Sequence, residues 1–288
     1  MQSIIKLIFF NHKHCRILIM NIKIKNCLPL VGLVILVALI LQGSTNSLDG
    51  KVDGIAPGDN QRSIAPYFVP ATSKKLTPDA DGFIQRWLLL EPISKPNRSN
   101  TVFTDTYLRE AFSKEYFKNQ FSVLPKDGDK VTVTVPKPPA VTDFRMRPGQ
   151  AEPAEPEMET VELKWHALES TNFNVKLFRF ATGLQKQEYG VLFLAVTVVN
   201  CPEEIKDVRM AVGSNSASMW WLNGEEAILM SGDRRMVMDD CVSPRLTLKK
   251  GKNIVRGAVI NGPGMSDFCV RFIDENGQPV KNITITCE

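Results

Sequence analysis

Two adjacent tryptophans and the polar loop after them carry the side chains best suited to binding a ligand. An exposed indole ring can stack on the apolar face of a sugar, and planar polar side chains can bond its hydroxyl groups. This combination predicts a carbohydrate-binding site. Its candidate members are Trp220, Trp221, Asn223, Asp233, Arg234, Arg235 and Asp240. A second interpretation stays open, in which both tryptophans lie in a core and the loop is held by its own ion pairs.

Residues that could support nucleophilic catalysis are sparse. No G-x-S-x-G elbow occurs; residues 213–217 come nearest, with Asn215 at the position of the nucleophile. A serine triad also needs an imidazole to accept the serine proton. His12 and His14 lie in the N-terminal segment, which leaves His166, and its place in an apparent strand favours a structural role. We therefore predict no catalytic residue.

Acidic residues do not form a recognisable catalytic or metal pattern. Neighbours on a strand point to opposite faces, so Glu225–Glu226 and Asp239–Asp240 are poor glycosidase pairs. A structural Ca²⁺ ion could use Asp239, Asp240 or Asp267, but no EF-hand-like spacing supports it, and no Cys/His spacing indicates zinc. The sequence predicts no cofactor and no metal.

The tryptophans are positioned by a predicted hairpin. Asn223–Gly224 lies between two apolar runs, and this dipeptide suits a type I′ turn, which needs positive φ at both central residues. Because successive strand residues face opposite sides, one indole can enter a core while the other reaches the opposite face.

Other local signals indicate a mainly β chain. The run at 82–92 favours a buried strand, residues 104–117 a helix capped by Thr104, and residues 126–135 a turn followed by an alternating strand. Further strands are predicted at 161–166, 174–180, 190–199, 208–212, 217–222, 227–230, 245–248, 253–260, 268–273 and 283–286. Many short strands with one or two short helices near the N-terminal side predict an antiparallel β-sandwich or jelly roll.

The N-terminal region has the layout of a targeting segment. Residues 1–47 hold five basic residues and no acid, and an apolar run at 28–41 precedes small polar residues. The run is shorter than the ~20 residues of a usual membrane-spanning helix, so we predict a signal peptide, with an uncleaved anchor as the alternative. Translation starts at Met1 or Met20. Without this segment the chain has 30 basic and 31 acidic residues, and nothing indicates nucleic-acid binding.

Composition also suggests the domain boundaries. Residues 48–80 are predicted to form a flexible tether, and 81–288 the sandwich. The Pro- and Glu-rich stretch 136–160 is a mobile insertion or a domain boundary. Beyond the leader, the cysteines either form disulfides, with three possible pairings, or remain buried free thiols. They are Cys201, Cys241, Cys269 and Cys287.

The order of several motifs resembles a known family. These are W-L-L-L at 87–90, V-G-S-N-S at 212–216, W-L-N-G at 221–224, L-T-L-K-K-G-K-N at 246–253, V-I-N-G-P-G at 259–264 and F-C-V-R-F at 268–272. Together they resemble galactose-binding-like β-sandwich modules of secreted polysaccharide-degrading enzymes. More narrowly, they are similar to the non-catalytic portion of exported Bacteroidetes proteins often labelled acetylxylan esterase. The resemblance spans roughly 81–288 and departs at 136–160.

The resemblance implies an exported, non-catalytic accessory or carbohydrate-binding protein of polysaccharide use, located in the periplasm, at the cell surface or outside the cell. Its expected partners are a glycan and a partner enzyme, with membrane contact only through an uncleaved N-terminal segment. One alternative is a carbohydrate esterase or glycoside hydrolase with an unrecognised site, which a cleft around His166 would favour. Another is a structural protein-interaction module, which burial of both tryptophans would favour.

Overall fold

The computed structural model describes residues 3–11, 16–24, 63–96, 104–137, 156–232, 234–261 and 264–288. The chain divides into two units, Met1–Ile55 and Ala56–Glu288. In the first unit, β1 (Ser3–Asn11) pairs antiparallel with β2 (Arg16–Ile24). The apolar run at 28–41 lies outside the described residues. No helix in the described ranges is long and apolar enough to cross a membrane.

The described part of the second unit consists mainly of strands. The strands are β3 (Phe68–Pro70), β4 (Arg86–Leu90), β5 (Ile93–Ser94), β6 (Lys130–Pro136), β7 (Met158–Ser170), β8 (Val191–Cys201), β9 (Ile205–Ser214), β10 (Ser218–Leu222), β11 (Glu225–Met230), β12 (Cys241–Val242), β13 (Leu246–Leu248), β14 (Gly251–Asn261), β15 (Phe268–Ile273) and β16 (Thr284–Thr286). The helices in the described ranges of this unit are α1 (Asp105–Ser113) and α2 (Leu177–Gly183).

These strands form two antiparallel sheets. The larger sheet has the order β11-β10-β14-β8-β4-β7-β3, with β5 and β16 paired to β8 and β6 paired to β7. In the smaller sheet, β9 pairs with β15 along one edge and with β12 and β13 at different points of the other. This architecture confirms the predicted antiparallel β-sandwich.

The main core fills the space between the two sheets. Trp87 and Trp220 from the larger sheet pack edge-on against Phe268 from the smaller one, each with ring centroids 5.0 Å from it. Met210 and Val212 of β9 enter the same core, because alternate strand residues share a face. The aromatic rings therefore join the two layers.

A second core lies on the opposite face of the larger sheet. Helix α1 lays Leu108, Ala111 and Phe112 over that face, next to Trp165 and Leu194. The hydroxyl of Thr104 accepts a hydrogen bond from the Tyr107 amide at 3.4 Å, which confirms the predicted cap. Because the larger sheet is covered on both faces, its central strand β8 is an almost unbroken apolar run.

One predicted strand is wrong. Residues 174–180 were expected to be extended, but only a single bridge from Val175 to Phe268 forms there before α2 begins. Leu177, Phe180 and Ala181 are buried, and their i, i+3, i+4 spacing places them on one helical face. A short apolar run fits a helix as well as a strand, and here its packing in the main core selects the helix.

The sandwich also begins before residue 81. Phe68 in β3 is buried in the main core and pairs with Ser170, and Leu76 bridges Ile285, so this part of the predicted tether belongs to the larger sheet. A three-residue edge strand has too few residues to show a period. The strands that flank the Pro- and Glu-rich stretch pair with each other through Pro136 and Met158. Residues 138–155 lie outside the described ranges.

The four cysteines of the second unit are free thiols in the structure. Cys201 and Cys269 are buried, and Cys241 and Cys287 are partly buried. Cys241 and Cys269 lie on the two strands that flank β9, opposite Val212 and Gly213. The intervening strand separates them, since neighbouring strands are ~4.8 Å apart.

Candidate functional site

The hairpin that carries the tryptophans forms as predicted. Asn223 and Gly224 have φ of 53° and 89°, as a type I′ turn requires, and they join the antiparallel strands β10 and β11. Trp220 lies opposite Ile228 and Trp221 opposite Glu226, with a register shift between the two pairs. The two indoles therefore point to opposite faces of the larger sheet.

Trp220 faces the main core and has no exposed surface. Its Nε1 donates a hydrogen bond to Ser218 Oγ at 3.0 Å, which satisfies the buried indole donor. Its ring lies directly against Gly257 of β14. The centroid of the ring is 5.9 Å from that of Trp87. The prediction that Trp220 contributes to a ligand surface is therefore wrong, because the sandwich needs this indole between its sheets.

Trp221 lies on the opposite face and is partly exposed. The ring of Phe121 lies beside it, with the centroids 6.0 Å apart and the planes tilted by 59°. Phe121 belongs to the segment that follows α1 and keeps 38% of its surface exposed. The two rings together offer a partly exposed aromatic surface.

An ion pair borders these rings. Arg109 of α1 donates from Nη1 to both carboxylate oxygens of Glu226, at 2.7 and 2.8 Å. Glu226 is the cross-strand neighbour of Trp221. We call the area formed by Trp221, Phe121, Arg109 and Glu226 the hairpin surface. Its polar groups remain accessible, since the Arg109 and Glu226 side chains are 47% and 39% exposed.

A buried arginine holds the segment that carries Phe121. Arg256 lies opposite Trp221 in the β10–β14 pairing and is 8% exposed. Its guanidinium donates to the carbonyl oxygens of Gln120 at 3.2 Å and Val123 at 2.9 Å. Burial lowers the pKa of Arg256, yet such a guanidinium stays charged at neutral pH. These bonds fix residues 120–123 against the sheet beside Trp221.

Asn223 is exposed, but its side chain has a structural role. Its Nδ2 donates to Asn253 Oδ1 at 3.0 Å, and its Oδ1 accepts from the Ile254 amide at 2.9 Å. These two hydrogen bonds hold the hairpin turn against β14. A ligand could bond the Asn223 carboxamide only by displacing them.

The predicted loop residues lie elsewhere. Arg234 binds Asp240 Oδ2 through Nε at 2.9 Å and Nη2 at 2.6 Å, and Asp239 pairs with Arg271 of β15. The backbone of Val237 lies against Gly213, so the loop packs on the outer face of the smaller sheet. Arg235 is exposed, and Asp233 lies outside the described residues.

The structure therefore does not bring the predicted site together. Asn223 and Arg234 lie at opposite ends of β11, roughly 20 Å apart at the usual rise per strand residue. Trp220 is in the core, and Trp221 faces away from the smaller sheet. The ion-paired loop matches the alternative interpretation of the sequence. Phe121 and Arg109 were missed, since neither carries a local signal that places it beside the hairpin.

A cleft of about 190 Å³ lies next to the hairpin surface, between the segment after α1 and the start of β6. Gln120 and Val123, which Arg256 anchors, form part of its wall. Half of its lining residues are apolar and half are polar. The lining residues are Phe117, Lys118, Asn119, Gln120, Val123, Pro125, Asp129, Lys130, Val131 and Trp165.

His166 has a carboxylate as its partner. Its Nε2 lies 3.3 Å from Glu91 Oε1, and Lys186 Nζ approaches the other oxygen of Glu91 at 3.0 Å. The imidazole also meets the edge of Phe180, with centroids 5.6 Å apart. In the described ranges this ring binds an acid rather than a serine hydroxyl, so the geometry offers no support for a serine triad.

Each acid considered as a Ca²⁺ ligand forms an ion pair with a basic side chain. Asp239 pairs with Arg271 and Asp240 with Arg234, while Asp267 Oδ2 lies 3.0 Å from Lys176 Nζ. Burial raises the pKa of Asp267 and Lys176 opposes that rise. Among the residues that the structure describes, no group of three His, Cys, Asp or Glu side chains could hold a metal ion.

No protein-family model and no curated protein matches this chain. Among solved structures, the chain is similar to the PA14 domain of an antifreeze protein, at 11% identity and a TM-score of 0.35, covering 75% of this chain and 96% of that one. It is also similar to a PA14 sugar-binding domain from an RTX adhesin, at 9% identity and a TM-score of 0.33, covering 69% and 96%. A β-glucosidase from Kluyveromyces marxianus in complex with glucose matches at 19% identity and a TM-score of 0.24, covering 46% of this chain and 15% of the enzyme. Similarity this weak transfers no function.

Proposed function

We propose that this protein is a non-catalytic glycan-binding protein and that the hairpin surface is its binding site. The observation that carries the proposal is the pair of partly exposed rings, Trp221 and Phe121, side by side beside an accessible ion pair. Neighbouring rings that are partly exposed leave contiguous apolar surface in water, and such surface is typical of binding sites.

The chemistry of the hairpin surface suits a sugar. The C–H face of a pyranose ring is apolar and can stack on the indole of Trp221, while Phe121 limits its position from the side. Arg109 offers N–H donors and Glu226 offers carboxylate acceptors at the edge of the rings. Arg109 and Glu226 can therefore bond two neighbouring hydroxyl groups of a sugar. Because their charges are opposite, the pair adds no net charge to the site.

The rings are also held in place before a ligand arrives. Trp221 belongs to a strand paired on both sides, and Arg256 ties the segment of Phe121 to the sheet. Preorganisation lowers the entropy cost of binding, so a small aromatic surface can still bind usefully. Export and participation in polysaccharide use, with the resemblance to acetylxylan-esterase-labelled proteins of Bacteroidetes, remain part of the proposal.

Calorimetric titration of the full chain with plant and host polysaccharides tests the proposal. Trp221→Ala should weaken binding at least tenfold, equivalent to ~1.4 kcal/mol, and Phe121→Ala should weaken it less. Trp220→Phe is the matched control, since it changes the core ring of the same hairpin and should leave the affinity unchanged. Circular dichroism shows whether each variant folds. Absence of saturable binding across the panel, or equal affinity in a folded Trp221→Ala variant, would contradict the proposal.

A specific observation favours a protein-interaction role as the second candidate. Val237 and Met238 are each 55% exposed, and Val242 of β12 is 38% exposed. The backbone of Val237 lies against Gly213 and Val242 pairs with Ala211, so both residues lie beside β9 of the smaller sheet. If docking to an exported enzyme is the function, Val237→Asp should reduce co-purification with it, whereas Trp221→Ala should not.

A further inference from the structure

The cleft beside the hairpin surface has the size and the lining of a small-molecule subsite. Its volume of about 190 Å³ is below the ~300 Å³ at which sites for drug-sized ligands begin. A cleft of this size suits a small ligand such as one sugar ring.

We propose that this cleft binds a single neutral sugar ring, the terminal residue of a glycan whose neighbouring residues lie on the hairpin surface. This inference rests on the proposed function and assigns the chemical class of the residue at one end of the ligand.

The floor of the cleft is apolar. Phe117 and Trp165 meet edge to face with centroids 6.5 Å apart, and Val131 and Pro125 complete this side. Trp165 is itself almost fully buried, so Phe117, which is partly exposed, supplies most of the accessible aromatic surface. An apolar floor fits the C–H face of a sugar ring.

The rim carries exposed polar groups with free bonding capacity. Asp129 Oδ2 accepts from the Lys126 amide at 2.8 Å, which leaves Oδ1 without a partner among the described residues. In the same ranges the carboxamide of Asn119 makes no hydrogen bond, and Lys118 has no carboxylate within 4.0 Å. A carboxylate, an amide and an ammonium provide the donors and acceptors that sugar hydroxyls need.

Charge indicates that the sugar is neutral. Lys118 and Asp129 bring opposite charges to the lining, and the other cation, Lys130, is paired with Glu162 at 2.7 Å. The carboxylate of an acidic sugar would therefore meet the like charge of Asp129. A neutral ring meets no such repulsion.

The rim is also fixed in position. Asn119 has a φ of 65°, and its carbonyl accepts from the amides of Ser122 and Val123 at 3.2 and 3.1 Å. The Gln120 side chain accepts from the Tyr116 amide at 2.9 Å. The cleft and the hairpin surface share the segment that Arg256 anchors, because Phe121 lies between Gln120 and Val123. Both surfaces therefore include residues of one anchored segment.

The test is calorimetric titration of the full chain with D-glucose, D-galactose, D-xylose and D-glucuronate, followed by oligosaccharides of any sugar that binds. Asn119→Gly keeps the positive φ accessible and removes the carboxamide, and Asp129→Asn keeps the cap on Lys126 while removing the charge. Each should weaken binding of a neutral monosaccharide at least tenfold. Asp274→Asn is the matched control, since Asp274 caps a turn through the Asn276 and Gln278 amides. It should change nothing.

The outcomes separate this inference from the proposed function. If neutral monosaccharides do not bind, bind equally to both rim variants, or bind more weakly than glucuronate, the subsite inference fails. Oligosaccharide binding that still depends on Trp221 would then leave the proposed function standing. If the rim variants abolish binding while Trp221→Ala does not, the cleft binds the sugar ring by itself, and both the hairpin surface and the continuation of the glycan onto it fail.

Discussion

Gly257→Ala should destabilise this protein because of Trp220. A Cβ atom at position 257 would lie 2.6 Å from Cε3 and 2.7 Å from Cη2 of the indole, well inside van der Waals contact. The ring has no room to retreat, since Trp87 and Phe268 enclose it with centroids at 5.9 and 5.0 Å. The added methyl group must therefore displace β14 or the core rings.

The magnitude follows from two opposing effects. Overpacking a well-filled core costs ~1–3 kcal/mol. Replacing glycine by alanine recovers ~0.4–1 kcal/mol, because the unfolded chain loses conformational freedom. The net loss in the free energy of unfolding is about 1–2 kcal/mol, which for a domain of this size lowers Tm by ~2–8 °C.

Urea denaturation of a double-mutant cycle is the assay. Trp220→Phe removes the ring atoms that meet the new Cβ, so Gly257→Ala should cost less than ~0.5 kcal/mol in that background, a coupling of about 1 kcal/mol. Gly251→Ala on the same strand is the control. Gly251 has a φ of 88° and no atom within 4 Å of an added Cβ, so its cost should come from the backbone alone and be equal in both backgrounds. A neutral Gly257→Ala, or an equal cost in both backgrounds, would refute this account of the core.

Three further predictions concern other parts of the molecule. Thr104→Ala should lower the free energy of unfolding by ~0.5–1 kcal/mol in urea, because the α1 amide of Tyr107 loses its capping acceptor, and Thr104→Ser should restore most of it. Arg256→Met should leave the amides of 117–123 exchanging faster with solvent while β8 stays protected, as hydrogen exchange can show; uniform acceleration would instead mean global destabilisation. Burial raises the pKa of the Cys269 thiol from 9.0 to about 12, so between these pH values the folded state holds a proton that the unfolded state has lost. Stability should therefore fall as pH rises through this window, and more steeply in the wild type than in Cys269→Ala.

Much of the fold follows from short-range patterns. The type I′ hairpin at Asn223–Gly224 and the cap at Thr104 are local, because each depends on a few neighbouring residues. Strand β15 occupies the predicted range 268–273. Residues 174–180 show the limit, since a short apolar run fits a strand or a helix and only its contacts with the core decide between them.

Less of the candidate site can be predicted from the sequence. Alternation along β10 places Trp220 and Trp221 on opposite faces, but it does not say which face the smaller sheet covers. That choice buries Trp220 against Phe268 and leaves Trp221 partly exposed. The loop acids and arginines, adjacent to the hairpin in sequence, instead pair with one another and with Arg271 on the smaller sheet.

The sequence by itself therefore determined the β class, the hairpin and the opposite directions of its two tryptophans, because these depend on backbone geometry over a few residues. Only the tertiary structure decided which indole is accessible and which residues surround it. Phe121 and Arg109 meet β10 and β11 because α1 and the segment after it cover the outer face of the larger sheet, and the same segment forms one wall of the cleft. Contacts of this kind depend on how distant elements pack, and no local pattern specifies them.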